Sequence, residues 1–193
     1  MSPILVLAEK EFRDGLRNKW VAGATLLLAA LAFALTFLGS SPAGLVEAKP
    51  LAVTVVSISS LTIFLIPLIA LLIGYDAIVG ESERGCLLLM LTYPVSRGQI
   101  MLGKFLGHAT ILTVATLVGY GAAGLAAAMT GNADAESWRA FSALLGSSVL
   151  LGLAFLALAY LASVLVAERS TAAGLAVGLW LIFVIVYDLA LMG

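Results

Sequence analysis

Few residues in this chain have the type and spacing to do chemistry, and the most suggestive of them fail on context. Gly98 to Phe105 reads GQIMLGKF, the Gly-x-x-x-x-Gly-Lys portion of a phosphate-binding loop. In such a loop a Ser or Thr follows the lysine and holds magnesium, and the turn joins a strand to a helix. Here Phe105 takes that position. Ser96 and Gln99 form a capping box, which places the segment inside a helix whose N–H groups are already engaged. No nucleotide site is read from it. Gly103 and Gly107 have instead the small-x-x-x-small spacing that lets helices approach closely, as do Gly174 with Gly178 and Ser148 with Gly152.

His108 is the single histidine and Cys86 the single cysteine. A metal site needs several converging ligands, and Met90, Met101, Met129 and Met192 share no helical spacing with either residue, so none is expected. One cysteine also excludes an internal disulfide and a CxxC redox motif within this chain. The sequence holds no HExxH, no GxSxG and no carboxylate pair on one span face that could share proton transfer. No catalytic residue, and no cofactor bound by this chain, is therefore expected.

The polar groups left within apolar surroundings are Ser57, Ser59, Ser60 and Thr62, ahead of Pro67, together with Asp188. Pro67 removes one backbone donor and should kink its helix. The hydroxyls either bond neighbouring helices or, at Ser57 and Ser60, face a translocation pathway. An ionised carboxylate inside a membrane costs at least about 2.5 kcal/mol, so Asp188 faces protein or water, as a rim residue or a third pathway residue.

The elements that must position these residues are membrane helices. The chain is 62% hydrophobic and 11% charged, with a mean hydropathy of +1.14, against about 25% charged for soluble domains. A net charge of -1 supplies no basic surface for nucleic acid. Crossing the hydrocarbon takes about 20 apolar residues, and five stretches qualify: 20–38, 51–74, 105–129, 141–167 and 173–192. Backbone groups in lipid must be paired internally, and runs of this length without alternation mean helices. The expected fold class is all-α, a polytopic transmembrane bundle.

Lys10, Arg13, Arg17 and Lys19 precede the first span, Arg84, Arg97 and Lys104 lie between the second and third, and Arg169 lies between the fourth and fifth. The opposite side holds Lys49 and Arg139 alone. That bias puts the amino terminus in the cytoplasm and the 39–50 and 130–138 loops outside. Residues 1–18 are not a span. Leu5, Ala8, Phe12 and Leu16 share one helical face, while Glu9 with Arg13 and Lys10 with Asp14 form i,i+4 pairs. The pattern fits a helix lying in the membrane interface or one packed on the bundle. A cleaved signal peptide is not expected, since no small-residue cleavage site follows the first apolar run closely.

The cytoplasmic stretch 75–104 is long for a connection. Gly80 and Gly85 bracket a charged turn, Glu81-Ser82-Glu83-Arg84, and Leu87 to Leu91 is too short to cross a membrane. Pro94 stops any preceding helix, and the capping box starts the next one. A rigid helix-turn-helix presented to the cytoplasm is expected, with Asp76 at its base solvated or paired with a loop arginine.

Glu81 to Lys104, ESERGCLLLMLTYPVSRGQIMLGK, resembles the corresponding stretch of ABC-2 type permeases, in which an acidic-Gly turn, a Leu-rich run, Pro-x-x-Arg and Gly-Lys recur in this order. The resemblance implies a coupling helix that docks on an ABC ATPase, with Glu81, Glu83, Arg84, Gly85, Pro94 and Arg97 as the docking element and residues 1–18 as the elbow helix. It also implies a homodimer in the bacterial inner membrane, with ATP and magnesium held by the ATPase subunit. YDAIVGESERG, LTYPVSRGQ and VYDLALMG carry a closer likeness, to permeases that serve an ATPase and a periplasmic partner in maturing the copper centre of nitrous oxide reductase. A sulfur-containing substrate is the implied cargo. A permease for a lipid, drug or polysaccharide, or a non-transporting scaffold, stays open. The family has six spans and both ends in the cytoplasm, so a sixth span is expected beyond Gly193.

Overall fold

The computed structural model describes residues 2–38, 50–86, 92, 95–130 and 134–192. Within them the chain forms α1 (Pro3–Arg17), α2 (Lys19–Leu38), α3 (Pro50–Gly74), α4 (Val79–Glu83), α5 (Arg97–Thr130), α6 (Ala135–Leu165) and α7 (Arg169–Met192), with no strand among the described residues. Residues 39–49, Leu87 to Leu91 and Pro94, which figure in the sequence expectations, lie outside the described residues.

Helices α3, α5, α6 and α7 are each long and apolar enough to cross a membrane. The number rises to five if α2, which is bent by 65° from α1, is counted together with it as one span. Helix α1 therefore runs off sideways at the base of the bundle instead of extending the span. Local chemistry sets the helix starts. Ser96 Oγ accepts from Gln99 N–H at 3.2 Å while Gln99 Oε1 accepts from Ser96 N–H at 3.0 Å, the reciprocal capping box that opens α5. Asp134 Oδ1 accepts from Ser137 N–H at 3.1 Å and opens α6. Residues Gly98 to Phe105 are a turn-by-turn part of α5, not a loop.

Helices α3 and α6 form the central pair, with α5 and α2 closing one side. Ile58, Ile66, Leu71, Leu112, Tyr120 and Leu156 are wholly enclosed. Small residues permit the close approach. A side chain at Gly152 would meet Leu112 at 2.7 Å, and one at Gly74 would meet Ala159 at 2.6 Å. The buried hydroxyls of Thr62, Thr116 and Ser148 are paired within the fold, as hydrocarbon requires. Thr62 Oγ1 lies 3.2 Å from the Tyr120 hydroxyl and 2.8 Å from the Ile58 carbonyl, so the α3 hydroxyls do serve helix-to-helix bonding at this position. Trp180 Nε1 donates to the Phe64 carbonyl at 2.9 Å, next to the Ile63 carbonyl that Pro67 deprives of its i+4 donor.

Helix α7 sits at the margin. Leu181, Ile182, Ile185, Val186 and Leu189 are exposed. The Gly174–Gly178 pair does not serve packing here, because a side chain added at either glycine would meet nothing within 4 Å. Spacing alone marks a surface on which helices could approach, and these two glycines face away from the rest of the bundle.

Candidate functional site

The chemistry-bearing residues that converge do so at the base of the bundle, where α1, α4 and the start of α5 meet. Helix α1 is seated in a notch made by glycines. A side chain at Gly103 would lie 2.6 Å from Leu7 Cβ, one at Gly107 would lie 2.5 Å from Glu11 Cβ, and one at Gly15 would collide with Ile111. This is the close approach expected of the Gly103–Gly107 spacing. It turns one stripe of α1, Ile4, Leu7, Ala8, Glu11 and Gly15, onto α5, while Leu5 and Leu16 on the adjoining face stay exposed. The i,i+4 pairs form as expected, with Lys10 Nζ 3.3 Å from Asp14 and Arg13 against Glu9.

One member of the packed stripe is charged. Glu11 is 7% exposed, and its Oε1 lies 2.9 Å from Lys104 Nζ. Lys104 is 2% exposed and its ammonium also lies 2.7 Å from Glu81 Oε1. A single buried cation thus joins α1, α5 and α4. Lys10 reaches Glu11 from the rim at 3.1 Å, which brings the four groups to charge balance. Burial works against ionising Glu11, but Lys104 and then Lys10 outweigh it and hold the carboxyl below its ordinary range. On its other side Glu11 Oε2 is 3.6 Å from His108 Nε2, and His108 Nδ1 is 2.7 Å from the Tyr160 hydroxyl. The histidine therefore has a partner within the fold at each ring nitrogen. Among the described residues no three His, Cys, Asp or Glu side chains are placed to hold a metal ion.

Helix α4 is a single turn and depends on its surroundings. Ser163 Oγ of α6 accepts from the N–H groups of Ile78 and Val79, both at 3.1 Å, satisfying donors that a short helix leaves free. Asp76 Oδ1 lies 2.8 Å from Arg169 Nε, out of line for a hydrogen bond, the second of the two arrangements expected for it. Glu83 Oε1 accepts from Arg169 N–H at 2.6 Å. A side chain at Gly80 would lie 2.0 Å from Asp76 Oδ1, so the Asp76 carboxylate would have to move to admit one. The chain leaves α4 through Gly85 at φ 71°, a left-handed conformation that favours glycine. These elements surround a cleft of about 520 Å³ lined by Glu11, Asp76, Glu81, Arg84, Lys104 and Arg169, among others.

The sequence-predicted residues separate on this geometry. Glu83, Arg84 and Arg97 are exposed, and Gly85 is half-exposed. Glu81 does not join them. Its carboxylate turns inward to Lys104, because it lies two residues past Val79, the second N–H that Ser163 accepts from, and on the side of α4 that faces the bundle. Lys104, counted in sequence as a topological anchor, is internal and neutralised for the same reason. Of the pathway candidates, Ser57 is half-buried, while Ser60 and Asp188 are exposed, and none lines the cleft. Sequence reasoning missed Glu11, Tyr160 and Ser163. The one available signal was Glu11 itself, an acid on the stripe otherwise occupied by Ile4, Leu7, Ala8 and Gly15.

Residues 5–193 match the family model described as ABC-2 family transporter protein. The chain is 51% identical over 194 residues to a probable ABC transporter permease protein NosY of Pseudomonas aeruginosa, covering all of this chain and 70% of the relative. It is 49% identical, with the same coverage, to the protein of that name in Stutzerimonas stutzeri. An all-helical membrane bundle, a short charged helix held at its base, and a family match along nearly its whole length make this chain a member of the ABC-2 transporter permease family.

Proposed function

We propose that the chain is the membrane subunit of an ATP-driven transporter. It hydrolyses nothing itself and takes its energy from a separate ABC ATPase that carries ATP and magnesium. It lies in the bacterial inner membrane with its amino terminus in the cytoplasm, works as a homodimer, and meets the ATPase at α4. The observation that carries this reading is α4 itself. A one-turn helix with Glu83 and Arg84 exposed is held from behind by buried ionic and hydrogen bonds, a surface stiff enough to receive a load.

The likeness to NosY permeases supports a narrower assignment: a sulfur-containing species for the copper centre of nitrous oxide reductase, with a periplasmic partner receiving the solute or the motion. A pathway between two copies would be walled by exposed faces, and Ser60 and Asp188 lie on such faces.

The test is capture of the ATPase by the purified chain. Reversing the exposed charges with Arg84→Glu and Arg97→Glu should weaken capture about tenfold or more, since like charges set against a docking partner cost several kcal/mol. Undiminished capture by a variant that still purifies as the parent does would refute the docking assignment.

A further inference from the structure

The ties that hold α4 are of unequal strength. The Arg169–Asp76 ion pair stands at the rim, where Arg169 is 49% exposed, and water screens such a pair and leaves it worth little; Glu83 takes only the backbone N–H of Arg169, a single hydrogen bond that is likewise exposed. The Ser163 bonds are buried but neutral, and their loss strands no charge. The Lys104 contacts are different in kind. Lys104 is 2% exposed, and separating it from Glu81 or Glu11 would leave an ion in the interior without its partner, a state far costlier than breaking a surface pair. When a load is applied at α4, the outer ties yield first and the Lys104 node holds.

The node also has a firm footing on α1. The Gly103 and Gly107 notch lets Leu7 and Glu11 sit directly on the α5 backbone, and Lys104 lies between those two glycines in sequence. Sliding α1 along α5 would drive Leu7 or Glu11 out of the notch and unpair Glu11 at once. Translation and charge separation are therefore blocked by the same residues.

We infer that Lys104 is a positioning residue: through Glu81 and Glu11 it makes α4, α1 and the head of α5 one rigid lever, so that a load on α4 moves α1 with it. As a step in transport, this rests on the permease reading above. The lever itself is a property of the isolated chain.

The two can be tested separately by spin labelling. The native Cys86, exposed just beyond α4, and Arg13→Cys, on the exposed face of α1, give a label pair that spans the node. Labelled chains are diluted with unlabelled copies, so that only distances within one chain are read. In the isolated chain the pair should give one narrow distance. Glu81→Leu, which leaves the Glu11–Lys104 pair balanced, should replace it with a broad distribution. In the complex with the ATPase the parent distance should stay unchanged on adding ATP, whereas in Glu81→Leu it should shift.

A parent distance that moves with ATP overturns the lever. So does a narrow, unmoved distance in Glu81→Leu, or in Glu81→Gln should the leucine variant not accumulate. Failure of the unmodified chain to capture an ATPase defeats the permease reading instead, and the measurement on the isolated chain still decides the tie.

Discussion

Lys104 is 2% exposed, and two carboxylates face its side-chain nitrogen at 2.7 and 2.9 Å. Removing the ammonium leaves Glu11 and Glu81 turned toward each other in the interior. Lys104→Met should therefore destabilise the chain by about 3–5 kcal/mol, the range for a buried ion that loses its partner, read as a lower unfolding midpoint in detergent. Lys10 also touches Glu11 but is 49% exposed, and Lys10→Ala should cost no more than about 1 kcal/mol. Equal effects at the two positions would remove the distinction drawn between them. In sequence both lysines read as anchors on the same side of the membrane. Charge bias counts residues and does not see partners, and Glu11 stands 93 positions from Lys104. What could be read locally was Ser96 with Gln99 as a capping box, and Asp76 as either solvated or paired with an arginine, of which the pairing is found.

At the scale of elements, the seat of α1 is steric before it is electrostatic. Gly107→Leu places a side chain where Glu11 Cβ would be 2.5 Å away, and should cost about 1–3 kcal/mol as an overpacked contact. Limited proteolysis should then cut α1 earlier than in the parent. Gly98, in the same helix, faces open space, and Gly98→Ala should instead stabilise α5 by about 0.5–1 kcal/mol through backbone entropy. Early cutting of both variants, or of neither, would show that the notch does not hold α1. The amphipathic face of α1 and the Gly103–Gly107 approach were legible because each is periodic within one helix. The inward turn of Glu81 was not, since it depends on Ser163 of α6 fixing the start of α4. The Gly174–Gly178 pair shows the converse: an identical spacing met no partner, because spacing does not say what lies opposite.

For the whole molecule, length and hydropathy pointed to an all-helical bundle of five spans, and the described residues hold four helices that qualify alone and a fifth if the bent pair α1–α2 is counted as one. The bend that sets α1 apart from α2 matches the break between charged and apolar sequence near Lys19. One consequence concerns sidedness. Because α1 and α4 share the Lys104 node, Cys86 must lie on the same side of the membrane as the amino terminus. With that side cytoplasmic, a membrane-impermeant maleimide should label Cys86 in inside-out vesicles and leave it untouched in intact cells. Labelling in intact cells would reverse the orientation proposed here.

The distance along the chain between the members of the node also orders events in time. Synthesis delivers the amino terminus first, so α1 emerges before the glycine notch or Lys104 exists to receive it. Until α5 follows, the Glu11 carboxylate has no buried partner, and the lipid surface can hold only the apolar side of α1. Helix α1 is thus made first and fastened late. Its closing needs α5 in register, because Glu11 finds its buried partner only at Lys104.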